Sequence, residues 1–131
     1  MHSVDTTVLV RYVTNDDPEQ SPVARRFLDS HQVRASWSVL LESAWVLRSA
    51  HKLTRQRIAY IMRQLAGLPS ISVDDPERFA RVVGWFEAGM GFADAMHLAG
   101  CEDGETLATF DRKLKTTAGK IKAGKVELLC K

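Results

Sequence analysis

Four acidic residues lie far apart in the chain but at comparable places in its local pattern. Asp5 ends the run SVD, and Asp111 follows the run LAT. Asp94 falls in the first turn of one helical stretch, and Glu42 in the second turn of another. In open parallel sheets, ligands bind beyond the carboxyl ends of the strands, and the helix starts that follow share that edge. The four carboxylates are therefore expected to converge on one rim. Two carboxylates ~4 Å apart repel by about 4 kcal/mol at an effective dielectric near 20. Such a cluster persists by protonation, by cationic partners or by holding a metal ion. All-oxygen donors suit Mg2+ or Mn2+, since Cys101 and Cys130 form no CxxC pair and His2, His31 and His51 stand at no ligand spacing. His97, three residues after Asp94, is expected to pack or to hydrogen-bond behind the ligands.

Each acid also has a local explanation. Asp94 is favoured by a helix N-terminus, Asp111 suits the cap of the turn ahead of Arg112, and Glu42 is free to pair with a base. Asp5 is the hardest to explain this way. A first central strand is ordinarily buried, and an aspartate is almost never buried unpaired.

The elements that must carry these acids are well marked. Asp17-Pro18-Glu19 and Asp75-Pro76-Glu77 each set a capping acid before a proline at the first helical position. The first opens a helix to about Ser30, with Val23, Phe27 and Leu28 on one stripe. The second carries Phe79, Val82, Val83 and Phe86 and ends at Gly89. Ser36 or Ser38 caps another helix. Thr54 caps the next, which Gly67 and Pro69 close, and a further helix covers about Ala93 to Cys101. Short runs of strand character lie between: Ser3-Val4-Asp5, Val33-Arg34-Ala35, Ile71-Ser72-Val73, Leu107-Ala108-Thr109 and Val126-Glu127-Leu128-Leu129. The alternation predicts an α/β fold, three layers of α/β/α around a mainly parallel central sheet of about five short strands. One domain over residues 1–131 is expected. Val8 to Val13 fits a strand by its β-branched content. It fits a helix equally by the stripe Val8, Leu9, Tyr12 and Val13, with Thr6 or Thr7 as cap. Lys115 to Lys125 reads as the loosest part. The helix pair over Ser38–Gly67 offers surplus apolar surface at Trp45, Leu47, Ile61 and Leu65.

Composition narrows the class. No apolar run approaches the ~20 residues of a membrane span, and MHSVD does not open as a secretory signal. A reducing cytoplasm suits two unpaired thiols. Net charge is only +2, but seven bases and one acid fall between Arg112 and Lys131. That basic end on an acidic body suggests a polyanion partner. Arg112, beside Asp111, suits either a substrate phosphate or a neighbouring acid. Trp37, Trp45 and Trp85 read as core or interface rather than as base-stacking platforms.

The segments VDTTVLVRY, VLLESAWVL, GFADAMHLAG and LATFDRKL together resemble the PIN domain, and more narrowly the VapC-type toxins of bacterial toxin–antitoxin pairs. The resemblance runs in order over nearly the whole chain. It implies that Asp5, Glu42, Asp94 and Asp111 form a Mg2+ or Mn2+ site for hydrolysis of RNA phosphodiesters, leaving a 5′-phosphate and a 3′-hydroxyl. Asp5 and Asp94 would be the firmest ligands, Asp111 a ligand directly or through water, and Glu42 an outer ligand or the group that orients water. Thr7 and Thr109 match small polar positions of the family, and with Arg112 they would contact substrate. The resemblance makes Val8–Val13 a helix and implies a homodimer with a groove for an antitoxin. Lys113 departs from the pattern, because many members carry a further acid there. Two other readings are a non-catalytic RNA-binding or scaffold module and a receiver-like phosphoacceptor. The latter would want adjacent acids after the first strand and a Lys-Pro near the last, and neither is present.

Overall fold

The first strand is shorter than its sequence suggests. A computed structural model, which describes residues 1–130, ends β1 (His2–Ser3) before Val4 and Asp5. Both strand residues are exposed, and so is Asp5. The expected burial of this acid in a central strand is overturned: its charge stays hydrated. The chain turns at Asp5 into α1 (Thr6–Thr14), which resolves Val8–Val13 as helix. The cap is Asp5 itself rather than Thr6 or Thr7. Helical spacing buries Leu9 and Val10 together, and Asn15, with φ 51°, closes the helix.

The chain divides into two compact units, one of residues 1–76 and one that begins at Glu77. In the first, α1 is followed by α2 (Gln20–Ser30), β2 (Val33–Ala35), α3 (Trp37–Ser49), α4 (Arg55–Gly67) and β3 (Ile71–Val73). Its three strands pair in parallel in the order β1-β2-β3, with His2 opposite Val33 and Val33 opposite Ile71. Leu9, Leu28, Val33, Leu40, Leu47, Ile58 and Met62 are buried almost completely. Leu47 and Leu65 thus belong to the core and not to surplus surface, Ile61 is half-buried, and Trp45 alone of that group is exposed.

Local hydrogen bonds set the helix starts. Ser36, not Ser38, caps α3 by accepting from the Val39 amide, and Thr54 caps α4 by accepting from Arg57. α3 is tied down further where Trp37 Nε1 donates to the Asp74 carbonyl at 2.7 Å and where Arg34 pairs with the Asp74 carboxylate. α2 begins at Gln20, later than Pro18. The Asp17 carboxylate accepts from both Glu19 and Gln20 amides (2.9 and 2.7 Å), which holds Pro18 and Glu19 in a turn ahead of the helix. Ser21 Oγ accepts in return from the Asp17 amide.

The second unit holds most of α5 (Pro76–Glu87), then α6 (Phe92–Ala99), β4 (Leu107–Thr109), α7 (Arg112–Ile121) and β5 (Val126–Leu128). β4 and β5 are parallel, Leu107 opposite Val126. All strand pairing among the described residues is parallel, in keeping with the α/β class, and these strands form a three-stranded and a two-stranded sheet. Phe86 meets Phe92 edge-on at 5.2 Å, docking α5 on the start of α6. Gly124, at φ +139°, brings the turn after α7 against α6. A Cβ there would lie 3.3 Å from Leu98 Cδ1, on a backbone that side chains rarely adopt. Much of Lys115–Lys125 is helix rather than loose chain, because Leu114 and Ala118 bury one face of α7. Lys115 Nζ also donates to the Val126 carbonyl at 2.6 Å.

The amides of Gln20 and then Glu19 hold the Asp17 carboxyl below its ordinary value of 3.8. A depressed pKa stabilises the fold above the unfolded value and loses that contribution as pH falls through the folded one. Resistance of the wild type to denaturant is therefore expected to fall as pH drops below 3.8. Asp17→Asn is expected to show a shallower acid dependence. An unchanged acid dependence in that variant would refute the cap's role.

Candidate functional site

Two of the four acids occupy the same local construction in different units. Asp5 follows β1 and caps α1, with Oδ1 accepting from the Val8 amide at 3.2 Å. Asp111 follows β4 and caps α7, with Oδ1 accepting from the Leu114 amide at 3.1 Å. Both are exposed. In each, one carboxylate oxygen is held by a helix N-terminus, and no hydrogen bond among the described residues engages the second. A strand exit, a capping acid and a helix together point a charged oxygen in a fixed direction.

Asp94 is the third helical residue of α6, after Gly91 at the cap. Its side chain folds back over that glycine. A Cβ added at Gly91 would meet Asp94 Oδ2 at 3.2 Å, closer than packed groups tolerate without shifting. Gly91 therefore leaves the room in which the Asp94 carboxylate sits. Glu42 is exposed on the second turn of α3, whose start is fixed by the Ser36 cap and the Trp37–Asp74 bond. None of the four acids takes part in an ion pair among the described residues.

The other expected residues fall around these acids. Thr7 lines a groove of about 920 Å³ between α1 and α2, with Asp5 at one end and Val8, Val23 and Phe27 along its wall. Arg11, at its other end, is held by Gln20 Oε1 (2.8 Å) and Asp16 (3.0 Å). The groove was not legible in the sequence, since its walls come from two helices whose docking no local pattern encodes. Thr109 Oγ1 accepts from the Asp111 amide at 3.0 Å, which fixes the turn into α7. Arg112 is exposed at the first position of α7 and pairs with no acid among the described residues. His97 is exposed, so it does not pack into the core. Trp37 and Trp85 are half-buried and Trp45 is exposed.

No group of three or more His, Cys, Asp or Glu side chains is arranged to hold a metal ion among the described residues. Each unit supplies two of the four acids, Asp5 and Glu42 in one, Asp94 and Asp111 in the other. Their donor chemistry still fits a hard cation. Mg2+ keeps several of its waters and is usually bound through one or two carboxylates plus substrate phosphate oxygens.

The cap geometry separates charge from structure. Asp5→Ala removes the cap of α1 and is expected to lower stability by about 1 kcal/mol, whereas Asp5→Asn preserves a capping oxygen and is expected to be nearly neutral. The same contrast is expected at Asp111. Thermal unfolding of the four variants checks this. Equal stability of the alanine and asparagine forms at both positions would contradict it.

The PIN domain family matches residues 3–120, a span that includes all four acids. No curated protein and no solved structure matches the chain. PIN domains are generally nucleases and generally use divalent metal ions. With the match covering most of its length, and with parallel strands and seven helices among the described residues, the chain belongs to the PIN domain family.

Proposed function

We propose that this PIN domain is a Mg2+- or Mn2+-dependent endoribonuclease, acting as one domain over residues 1–131 and serving as the toxin of a toxin–antitoxin pair in the cytoplasm. The observation that carries the reading is the repeated strand–aspartate–helix construction at Asp5 and Asp111. Each turn leaves one carboxylate oxygen oriented and unengaged in a chain of a nuclease family. Asp5, Asp94, Asp111 and Glu42 would hold the cation. Bound there, it supplies the charge that lowers the pKa of an attacking water and offsets charge developing on the phosphate.

The chain's own residues do the rest. The caps of α1 and α7 hold Asp5 and Asp111 in a fixed direction. Glu42, with no cationic partner among the described residues, serves as an outer ligand or orients the attacking water and takes its proton. Thr109 accepts from the Asp111 amide, so its hydroxyl proton is left to donate to a phosphate oxygen. Thr7 contacts substrate beside Asp5, and Arg112 grips the phosphate with its planar guanidinium. The bases that follow Arg112 add backbone contacts that position a strand without reading its bases. Trp45 and Tyr60, exposed by 69% and 52% on α3 and α4, supply apolar area for the homodimer and for the antitoxin.

The test is cleavage of a mixed cellular RNA pool by the purified chain, with Mg2+ or Mn2+ and with EDTA. Asp5→Asn and Asp94→Asn are run in parallel. Discrete fragments bearing 5′-phosphates, lost in EDTA and in both variants, are expected. Undiminished cleavage by both variants, or cleavage that persists in EDTA, would overturn the assignment. Intact RNA with retained binding would favour the non-catalytic RNA-binding module.

A further inference from the structure

Phe110 stands between β4 and Asp111 with 65% of its surface exposed. A large apolar ring left in water at this point contributes nothing to the core. Its backbone is not in the left-handed region, so the turn itself does not demand an unusual residue. The chain on both sides is pinned. The Leu129 amide donates to the Thr109 carbonyl at 2.7 Å, the Asp111 amide donates to Thr109 Oγ1, and Asp111 caps α7. The ring is therefore carried by a rigid strand-to-helix turn. Asp111, Arg112 and Lys113, the next three residues, are all exposed. Four consecutive positions thus present an aromatic face, a carboxylate and two cations.

We propose that Phe110 is a stacking platform for an unpaired nucleobase next to the phosphate that Arg112 grips, which makes it a specificity-determining residue for single-stranded RNA. The inference rests on the nuclease reading above. Proteins that hold single strands combine cations along the backbone with aromatic rings on which bases stack. A paired base hides both faces in the helix stack, so the platform selects unpaired nucleotides. The flanking charges argue for this occupant. Charged residues are depleted at the centre of protein–protein interfaces, whereas cations beside an aromatic ring complement a phosphate and its base.

The test measures binding of short single-stranded and duplex RNA to the full chain in EDTA by fluorescence anisotropy, and then KM and kcat with Mn2+. Phe110→Ala is expected to weaken single-strand binding about 5- to 150-fold. KM should rise while thermal stability, duplex binding and the salt dependence of binding stay unchanged. Phe110→Trp should retain affinity, and Phe110→Leu should behave like the alanine variant because it has apolar area without a π face. Replacing Arg112 and Lys113 with glutamine should instead flatten the salt dependence. Wild-type affinity in Phe110→Ala, with cleavage intact, would overturn the platform and leave the nuclease reading standing. Full rescue by leucine would also overturn it, pointing to a plain apolar contact such as a protein surface makes. A wild-type chain that neither binds nor cleaves any RNA would overturn both.

Discussion

The hydrogen bond that a capping aspartate accepts from the amide three residues on is the interaction from which the candidate chemistry follows. At Asp5 and at Asp111 it serves two ends with one carboxylate. The first oxygen satisfies an amide that the helix cannot satisfy itself. The second is left charged, exposed and fixed in direction. The strand before it delivers the group to the edge where ligands of parallel sheets bind. An aspartate at the head of an apolar run is therefore not a buried anomaly. It marks the place where a strand ends and a helix needs an acceptor.

Asp94 and Glu42 depend on different supports. Asp94 sits over a glycine that leaves room for its carboxylate, so its position is a matter of steric allowance. Glu42 depends on the anchoring of α3, where the serine cap and the Trp37 indole fix the first turn. The basic bias of the last twenty residues adds a long-range field, and one of its lysines, Lys115, has a structural task instead. A surplus of lysine on one segment thus mixes phosphate contacts with backbone ties.

Much of this was legible because caps are local. Ser36, Thr54 and Asp111 act on amides three residues away, and such signals survive any tertiary arrangement. The three-residue strands were legible from β-branched runs between helices. What was not legible depended on distant partners. The register of β1 with β2 ends at Ser3, with a last hydrogen bond from the Val4 amide to the Arg34 carbonyl, and no feature of SVD reveals that. α3 carries apolar residues on nearly every side, so its pattern could not separate exposed Trp45 from buried Leu47. Lys115–Ile121 looked loose because its charges and threonines masked the Leu114–Ala118 stripe that holds α7. The family resemblance supplied the helical reading of Val8–Val13 that propensity left open.

The central claim is that the unengaged oxygens of the two capping aspartates bind one kind of divalent cation. Paramagnetic broadening of backbone amide resonances by substoichiometric Mn2+ tests it directly. Selective loss of signals around Thr6–Val8 and around Arg112–Leu114 is expected, with both sets restored by excess Mg2+ and absent in a chain carrying Asp5→Asn and Asp111→Asn. Broadening centred on acids other than Asp5, Glu42, Asp94 and Asp111, or unchanged in that double variant, would contradict the account.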